Sequence, residues 1–376
     1  MSKWEKVRLF AVCEITMGQS PASTSYNLTG DGIPFYQGNA DFGEVYPNVR
    51  YFCNQPTKIA EKDDILISVR APIGAVNIAI ERCCIGRGLA SLRAQKQKLD
   101  TKYLFYVLKR KNNELNLKGT GSTFKAINKQ ILGDLIIPLP PLEKQKQITK
   151  TLDTAADLLA LQKQQLAELD NLIKSIFYNM FGNPIVRGNK WECRALGDIA
   201  TVVSGSTPNT SVAEYWDGDL PWLTPAEISD DSFYVYKTKR YITHYAVQST
   251  GIKPFPKHTV ILSSRAPIGK VAIAGVEMYC NQGFKNIICG DLLNPIFLYC
   301  TLKFNTDYLN SLGRGATFKE ITKTIVENIR ISVPPLELQN QFANIVTKIE
   351  EQKAQVRKAI DETQTLFDSL MSQYFD

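Results

Sequence analysis

The sequence predicts a mixed α/β (α+β) protein: two repeated α/β domains joined by two long antiparallel coiled-coil helices, with the copies related by a pseudo-two-fold axis. Three observations predict this fold class. The chain has 376 residues, too many for one compact core and suited to two domains. Its second half repeats the motifs of its first half in the same order. Each copy ends in a long stretch whose apolar residues alternate in steps of four and three, which is typical of a coiled coil.

Short motifs carry the repeat, and their spacing is nearly constant. The offset between matching motifs is 187 residues near the start of each copy, then 195, and 194 from there on. The matching pairs are 18–21 (GQSP) with 205–208 (GSTP), 70–74 with 265–269 (RAPIG in both), 119–125 (GTGSTFK) with 313–319 (GRGATFK), and 140–143 with 334–337 (PPLE in both). Matches that keep one order along the whole chain predict two copies of one structural unit.

The first part of each copy has the pattern of a compact α/β domain. Strand-like apolar runs cover residues 65–69 and 76–80, between turns rich in Gly, Pro and Asn. A helical pattern follows at 103–117 and recurs at 296–312. We therefore assign residues 1–140 to a first domain and residues 183–333 to a second one.

A long helix follows each domain. The helix at 141–181 would be about 60 Å long at 1.5 Å per residue, and we assign 141–182 and 334–376 to these helices, which bury their apolar seams on each other. Prolines precede each helix, and Gly182 and Pro184 end the first one. The predicted helix-pairing residues are Ile148, Leu152, Leu159, Leu166, Leu169, Ile173, Val346, Ile349, Val356, Ile360, Phe367 and Leu370.

Two points about these helices stay open. Gln162, Lys353 and Thr363 interrupt the apolar seam, and they either fix the register or face the helices of another protein. The alternative to pairing is two unrelated surface helices, each packed on its own domain. A helix of about 60 Å would overhang a domain of this size, which favours pairing.

Composition argues against catalysis by this chain. Hydrophobic residues make up 44% of the sequence, but no apolar run approaches the roughly 18 to 20 residues of a membrane span. The start shows no signal-peptide pattern, so we expect a cytoplasmic protein.

The chain has two histidines and eight cysteines, and no cysteine pair has the two-residue gap of zinc or redox sites. No Walker-type or dinucleotide-binding glycine motif is present, so we expect free thiols, no bound metal and no catalytic residues.

The charge suits an anionic partner and is uneven along the chain. The net charge is +7, from 44 Lys and Arg against 37 Asp and Glu. Residues 1–187 hold 25 basic and 17 acidic residues, whereas residues 188–376 hold 19 and 20. A moderate basic excess is compatible with nucleic-acid binding but does not demonstrate it.

Together these motifs resemble the specificity subunit of type I restriction-modification systems. The resemblance rests on the duplicated Gly-x-[Ser/Thr]-Pro, Arg-Ala-Pro-Ile-Gly, Gly-x-Gly-x-Thr-Phe-Lys and Pro-Pro-Leu-Glu-x-Gln motifs and covers essentially the full chain. It implies that each domain is a target recognition domain that reads one half of a bipartite site in double-stranded DNA. It implies that the helices act as a ruler and bind two methyltransferase subunits. Those partners would bind S-adenosylmethionine, and a motor-nuclease subunit using ATP and Mg²⁺ can join them, so no cofactor is expected in this chain.

Two rival interpretations remain. The chain could be the recognition subunit of a related two-component type II system, whose partner combines nuclease and methyltransferase. It could also be a coiled-coil scaffold that never touches DNA.

Comparison of the two copies sorts the candidate DNA-binding residues. Positions identical in both copies cannot distinguish two different half-sites, so they should serve folding, phosphate contact or partner binding. Positions that correspond but differ are candidates for base recognition: Arg87 suits guanine, and the equivalent Gln282 suits adenine. Solvated loop residues are the simpler alternative for all of them. The candidates are Gln19, Ser20, Tyr36, Gln37, Asn39, Arg70, Arg87, Ser122, Thr123 and Lys125 in the first copy and Ser206, Thr207, Thr224, Arg265, Gln282, Lys285, Thr317 and Lys319 in the second.

Overall fold

The chain folds into two compact units, each a mixture of helix and sheet. A computed structural model describes residues 4–120, 125–185, 190–265, 267–315 and 319–376. Unit 1 comprises Met1–Lys163 and Ala359–Asp376, and unit 2 comprises Gln164–Lys358. The two units repeat one order of elements, and each includes parts of two long helices. The predicted fold class is confirmed.

Unit 1 begins with a strand-rich segment and continues into three short helices. Its strands are β1 (Lys6–Arg8), β2 (Cys13–Met17), β3 (Tyr26–Asn27), β4 (Ile33–Tyr36), β5 (Tyr51–Cys53), β6 (Ile59–Ala60), β7 (Ile65–Ser68), β8 (Val76–Ile78), β9 (Cys83–Ile85), β10 (Leu89–Ala94) and β11 (Ile136–Pro138). Its helices are α1 (Thr101–Arg110), α2 (Asn112–Lys118), α3 (Lys129–Gly133) and the first part of α4 (Leu142–Phe181).

Two main sheets build the globular part of unit 1. One has the order β2-β10-β7-β8 and is antiparallel throughout. The other has the order β3-β5-β4-β9-β6, in which β4 and β9 run parallel. The central strand β7 is buried along its whole length, as expected for a continuous apolar run. A short β1-β11 pair completes the unit.

Unit 2 repeats most of this plan, but its strands divide differently among the sheets, and its helix at His244–Thr250 has no counterpart among the described residues of unit 1. Its strands are β12 (Cys193–Ala195), β13 (Ala200–Ser204), β14 (Trp216–Leu223), β15 (Tyr234–Val235), β16 (Arg240–Ile242), β17 (Val260–Ser263), β18 (Val271–Ala274), β19 (Tyr279–Cys280), β20 (Phe284–Cys289) and β21 (Arg330–Ser332). Its helices are α5 (Leu196–Ile199), α6 (His244–Thr250), α7 (Pro295–Lys303), α8 (Thr306–Leu312), α9 (Lys323–Glu327) and the first part of α10 (Leu336–Phe375). Its sheets have the orders β13-β20-β17-β18-β15, β16-β14-β19 and β12-β21.

The prediction of one continuous helix at 103–117 is wrong, because the structure has two helices there. α1 ends at Arg110 and α2 begins at Asn112. The side-chain amides of Asn112 and Asn116 donate to the backbone oxygen of Ile73, at 3.4 and 2.7 Å. These bonds hold α2 against the loop after β7. The predicted helix at 296–312 is likewise divided into α7 and α8.

The two long helices have 40 residues each. α4 ends where the sequence predicts, since Gly182 has a φ of +64°, a conformation that favours glycine. Within unit 2 the helices run antiparallel, because Asp170 pairs with Lys353 while Phe177 contacts Phe342 further back along α10.

The heptad positions of both helices are shielded from solvent. Fully buried are Ile148, Leu152, Leu159, Ile173, Val346 and Ile349, and half-buried are Leu166, Leu169, Val356, Ile360, Phe367 and Leu370. In unit 1 the start of α4 and the end of α10 belong to one apolar cluster with α1. In unit 2 the end of α4 and the start of α10 share a cluster with α7.

The division into compact units differs from the predicted domain boundaries. The boundaries predicted from the sequence, 1–140, 141–182, 183–333 and 334–376, place each long helix in a segment of its own. The structure shows that each unit uses the end of one helix and the start of the other as part of its apolar core. None of the helices in the described ranges is long and apolar enough to cross a membrane.

Candidate nucleic-acid interface

Several loops of unit 1 meet at one edge of its sheets. Backbone hydrogen bonds join them: Gln19 N to Ile85 O (3.0 Å), Gly86 N to Tyr36 O (2.8 Å), Gly88 N to Gln37 O (3.2 Å), Val69 N to Gly88 O (2.9 Å) and Ile127 N to Val69 O (3.0 Å). We call the predicted residues gathered there edge cluster 1: Gln19, Ser20, Gln37, Asn39, Arg70, Arg87 and Lys125.

Glycines permit this close approach of backbones. A Cβ on Gly88 would lie 2.5 Å from the carbonyl oxygen of Gln37, and a Cβ on Gly18 would lie 2.2 Å from that of Gly86. Both distances are far below van der Waals contact. The sequence pattern Gly86-Arg87-Gly88 therefore fits a turn that presents Arg87 while its neighbours press against the adjacent strand.

Unit 2 assembles the equivalent edge with the same kind of bonds. They run from Ser206 N to Cys280 O (2.9 Å), Asn281 N to Leu223 O (3.1 Å), Ser264 N to Gly283 O (2.8 Å) and Ile321 N to Ser264 O (2.9 Å). The predicted residues at this edge form edge cluster 2: Ser206, Thr207, Thr224, Arg265, Gln282 and Lys319. The structure thus brings together, within each unit, residues that are far apart in sequence.

Edge cluster 1 presents unneutralised cations. The side chains of Arg70, Arg87 and Lys125 are exposed, and the structure gives them no ion pair with any described residue. The backbone N–H of Arg87 donates to the hydroxyl of Ser20 at 3.3 Å, which ties two of the loops together. Cations of this kind suit an anionic ligand such as a phosphate backbone.

A buried carboxylate positions Gln37 in this cluster. The backbone N–H of Gln37 donates to Asp41 Oδ2 at 2.7 Å, and Asp41 is only 2% exposed. Arg50 Nε donates to the other carboxylate oxygen at 2.7 Å. The Gln37 side chain is exposed and is held by a fixed backbone, as a recognition residue requires.

More side chains of edge cluster 2 than of edge cluster 1 form hydrogen bonds or ion pairs with neighbouring side chains. The hydroxyl of Thr207 donates to Gln282 Oε1 at 2.5 Å, which orients an exposed amide. The hydroxyl of Thr224 donates to Glu227 Oε1 at 2.8 Å. Arg265 Nε lies 3.2 Å from Glu320 Oε2. The equivalent edges of the two units therefore differ in charge as well as in side-chain chemistry.

Burial corrects two of the predicted DNA contacts. Tyr36 is 2% exposed and Lys285 is 6% exposed, so neither side chain can reach a ligand at the surface. Burial and nearby acidic groups raise the pKa of Tyr36 well above its usual range. Thr224 is half-buried, and its hydroxyl is already bonded to Glu227. Ser122, Thr123 and Thr317 lie outside the described residues.

Sequence reasoning missed the carboxylates that shape these edges. Asp41, Glu227 and Glu320 each accept hydrogen bonds or ion pairs from edge residues or their neighbours. One signal was readable, because residues 224–227 (TPAE) have the spacing of a capping box, which the structure forms.

The described thiols are poor candidates for nucleophiles. All eight cysteines are free. Burial raises the pKa of Cys13 to about 12, and burial with neighbouring acidic groups does the same for Cys83. Thiols with such pKa values stay protonated near neutral pH and react slowly. Within the described ranges, no group of three or more His, Cys, Asp or Glu could hold a metal ion.

Comparisons with known proteins agree with the repeat. The family profile described as the type I restriction modification DNA specificity domain matches residues 1–171 and again 188–363. The putative type I restriction enzyme MjaX specificity subunit of Methanocaldococcus jannaschii is 46% identical over 175 residues. That match covers 46% of this chain and 41% of the relative, less than half the length of that protein. The MjaVIII specificity subunit of the same organism is 21% identical over 95% of this chain and 90% of its own.

Solved structures share the fold. The S subunit of a type I restriction-modification system from M. genitalium matches with a TM-score of 0.65 at 16% identity, over 100% of this chain and 96% of its own. A second structure, described in terms of complex assembly and conformational transition of a type I restriction-modification system, gives a TM-score of 0.63 at 19% identity and covers 99% and 97% of the two chains. With the profile matching both repeats, the chain belongs to the type I restriction modification DNA specificity domain family.

Proposed function

We propose that this chain is the DNA specificity subunit of a type I restriction-modification complex, and that each unit reads one half of a bipartite site in double-stranded DNA. The observation that carries the proposal is the pair of equivalent edges built on one fold with different side chains. Arg87 in unit 1 corresponds to Gln282 in unit 2, and both are exposed. Two similar frames with unlike polar residues are what recognition of two different half-sites requires.

Partner subunits complete the proposed complex. The methyl donor S-adenosylmethionine would be bound by two methyltransferase subunits that dock on the paired helices, and ATP and Mg²⁺ by a motor-nuclease subunit. Exposed apolar residues on α4, such as Leu158 at 46% and Leu161 at 63%, leave surface for such docking. We place the complex in the cytoplasm, where its DNA lies.

The proposal is tested by DNA binding and by mapping methylated sites. The full chain is purified with a co-expressed methyltransferase subunit, and methylated positions are mapped in a host that carries both. We expect one two-part motif with a fixed gap, and tighter binding to a duplex bearing that motif than to a shuffled duplex. Binding that ignores sequence would overturn the proposal, and no binding to either duplex would favour the scaffold that never touches DNA. A partner that both cleaves and methylates would identify the two-component type II alternative.

The chain by itself should not catalyse methyl transfer. Incubation of the isolated chain with labelled S-adenosylmethionine and motif-bearing DNA should leave the DNA unlabelled, whereas addition of the methyltransferase subunit should label it. Label transferred by the isolated chain would contradict the assignment of catalysis to the partner.

A further inference from the structure

The two units treat an identical arginine differently. Arg70 and Arg265 occupy the same place after the equivalent strands β7 and β17, and each forms a β-bridge with the loop that precedes α3 or α9. In unit 2, Arg265 Nε lies 3.2 Å from Glu320 Oε2. The other oxygen of Glu320 lies 3.5 Å from Lys285 Nζ. One carboxylate therefore serves two cations.

The buried Lys285 side chain holds the Glu320 carboxylate in place from the interior of the unit. It is only 7% exposed, and its ammonium also donates to the hydroxyl of Ser264 at 3.2 Å. A buried cation needs a charged partner, so Glu320 is held on the inner side while Arg265 binds it from the solvent side. The Arg265 side chain is about half exposed.

Unit 1 lacks both partners of this cluster. Ile67 on β7 and Leu262 on β17 are equivalent positions of the repeat. Ala90 pairs with Ile67, and Lys285 pairs with Leu262, so Ala90 stands where unit 2 has Lys285. The bridge partner of Arg70 is Ala126, where Arg265 has Glu320. Arg70 is exposed and has no ion pair among the described residues. The same arginine is therefore neutralised in one unit and free in the other.

A carboxylate and a phosphate bind a guanidinium through the same geometry. A DNA phosphate would have to displace Glu320 to reach Arg265, and it would then lie beside an anion that Lys285 keeps in place. No such competition exists at Arg70. We propose that Glu320 takes the place of a DNA phosphate in unit 2, so that Arg70 contacts the DNA backbone in the complex and Arg265 does not.

This inference rests on the proposed function and deepens it. It makes the contribution of the two units to backbone binding unequal: unit 1 gains an electrostatic contact at a position where unit 2 is neutralised internally.

The test is the salt dependence of DNA binding by the complex of the full chain with its methyltransferase subunit. Binding to the mapped duplex is measured by fluorescence anisotropy between about 50 and 200 mM salt, where each phosphate contact contributes about 0.9 to the slope of log K against log salt. The slope is negative, and we expect Arg70→Gln to reduce its magnitude by about one. Arg265→Gln should leave it unchanged.

A charge-neutral variant provides the reciprocal test. Lys285→Ala/Glu320→Ala gives unit 2 the residues that unit 1 has and leaves the net charge unaltered. We expect it to increase the magnitude of the slope by about one, because Arg265 is then free to bind a phosphate. Adding Arg265→Gln to this variant should return the slope to the wild-type value. Lys62→Gln, an exposed lysine in the turn before β7 and so at the opposite end of that strand from Arg70, controls for the loss of one positive charge.

The outcomes separate this inference from the proposed function. Thermal unfolding establishes that each variant is folded, and Arg70→Gln and Arg265→Gln alter exposed side chains, so their comparison decides the matter even if the double variant unfolds. Equal slope changes for those two single variants would overturn the inference. Wild-type complex that binds without sequence preference would instead overturn the proposed function.

Discussion

Arg87 and Gln282 are the residues that we propose as base readers of the two half-sites. Both follow a strand and precede a buried glycine at the equivalent edge of their units. Arg87 is anchored through its backbone to Ser20, whereas Gln282 is oriented through its side chain by Thr207. A guanidinium and an amide form bidentate bonds with different bases, so under the proposed function this exchange would give the two units different preferences.

We predict that substituting each reader alters one half-site alone. Arg87→Gln should change the half-site read by unit 1, and Gln282→Arg the half-site read by unit 2. Each substitution should weaken binding to the original half-site by about 1 to 3 kcal/mol, the usual worth of a bidentate pair of hydrogen bonds to a base. The measurement is the methylation motif of a host carrying each variant. Thr207→Val should weaken discrimination in the second half-site as well, since it removes the hydroxyl that orients Gln282.

The control for these variants is Lys62→Gln, an exposed lysine outside both edge clusters and both long helices, which should leave the motif intact. If both half-sites stayed unchanged in Arg87→Gln and in Gln282→Arg, neither residue would be a base reader. Loss of both half-sites at once would indicate damage to the fold.

Among the helices, a buried charge cluster fixes how α4 and α10 meet in unit 2. Lys353 is 1% exposed and lies 2.6 Å from both Asp170 on α4 and Glu350 on its own helix. The equivalent positions of the other copy hold Leu159, Ala156 and Gln364. The sequence left open whether Lys353 sets register or faces another protein, and these contacts support register.

We predict a strong dependence of stability on how this cluster is changed. Lys353→Leu should leave Glu350 and Asp170 without their shared cation and lower the free energy of unfolding by up to about 3 to 5 kcal/mol. The combined variant Lys353→Leu/Glu350→Ala/Asp170→Gln installs the residues of the other copy and should recover most of that stability. Chemical denaturation of the full chain measures both.

Glu351→Gln, an exposed position on α10, is the matched control and should change stability by less than about 0.5 kcal/mol. A single Lys353→Leu variant as stable as the wild type would show that the charge cluster contributes nothing to helix pairing.

The same elements show which features a sequence discloses. The long helices were predictable because about forty residues of heptad pattern leave few alternatives, and Gly182 marks the end of α4. The break between α1 and α2 was not, because it depends on amide bonds from Asn112 and Asn116 to a loop distant in sequence.

For the candidate site, comparison of the two copies predicted which loops carry the candidate residues, but not which side chains are buried or paired. Alignment of the two copies predicted that Arg87 and Gln282 occupy equivalent positions, and the structure shows both exposed. The burial of Tyr36 and Lys285 was not predictable, since an aromatic or a lysine beside a turn can point to either face of a sheet. The pairing of Glu320 was hidden for a related reason, because its two partners, Arg265 and Lys285, are distant from it in sequence.

For the molecule as a whole, we propose that the length of the paired helices determines how many unread base pairs separate the half-sites. Four residues inserted after Gln162 in α4, with four matching residues after Lys358 in α10, lengthen the pair by about 6 Å at 1.5 Å per residue. Stacked base pairs advance about 3.4 Å each. We therefore predict a gap longer by one or two base pairs, with both half-sites unaltered.

The number of inserted residues provides the control for this prediction. Four residues are close to one helical turn, so the apolar seam rotates by only about 40° and is tolerated as a local change in supercoil. Two residues rotate it by about 200°, which turns Ile148 and Leu152 away from the seam that continues at Leu166, so that variant should not assemble. Methylome mapping of the four-residue variant decides the matter, and an unchanged gap with intact half-sites would show that the helices do not measure the spacing.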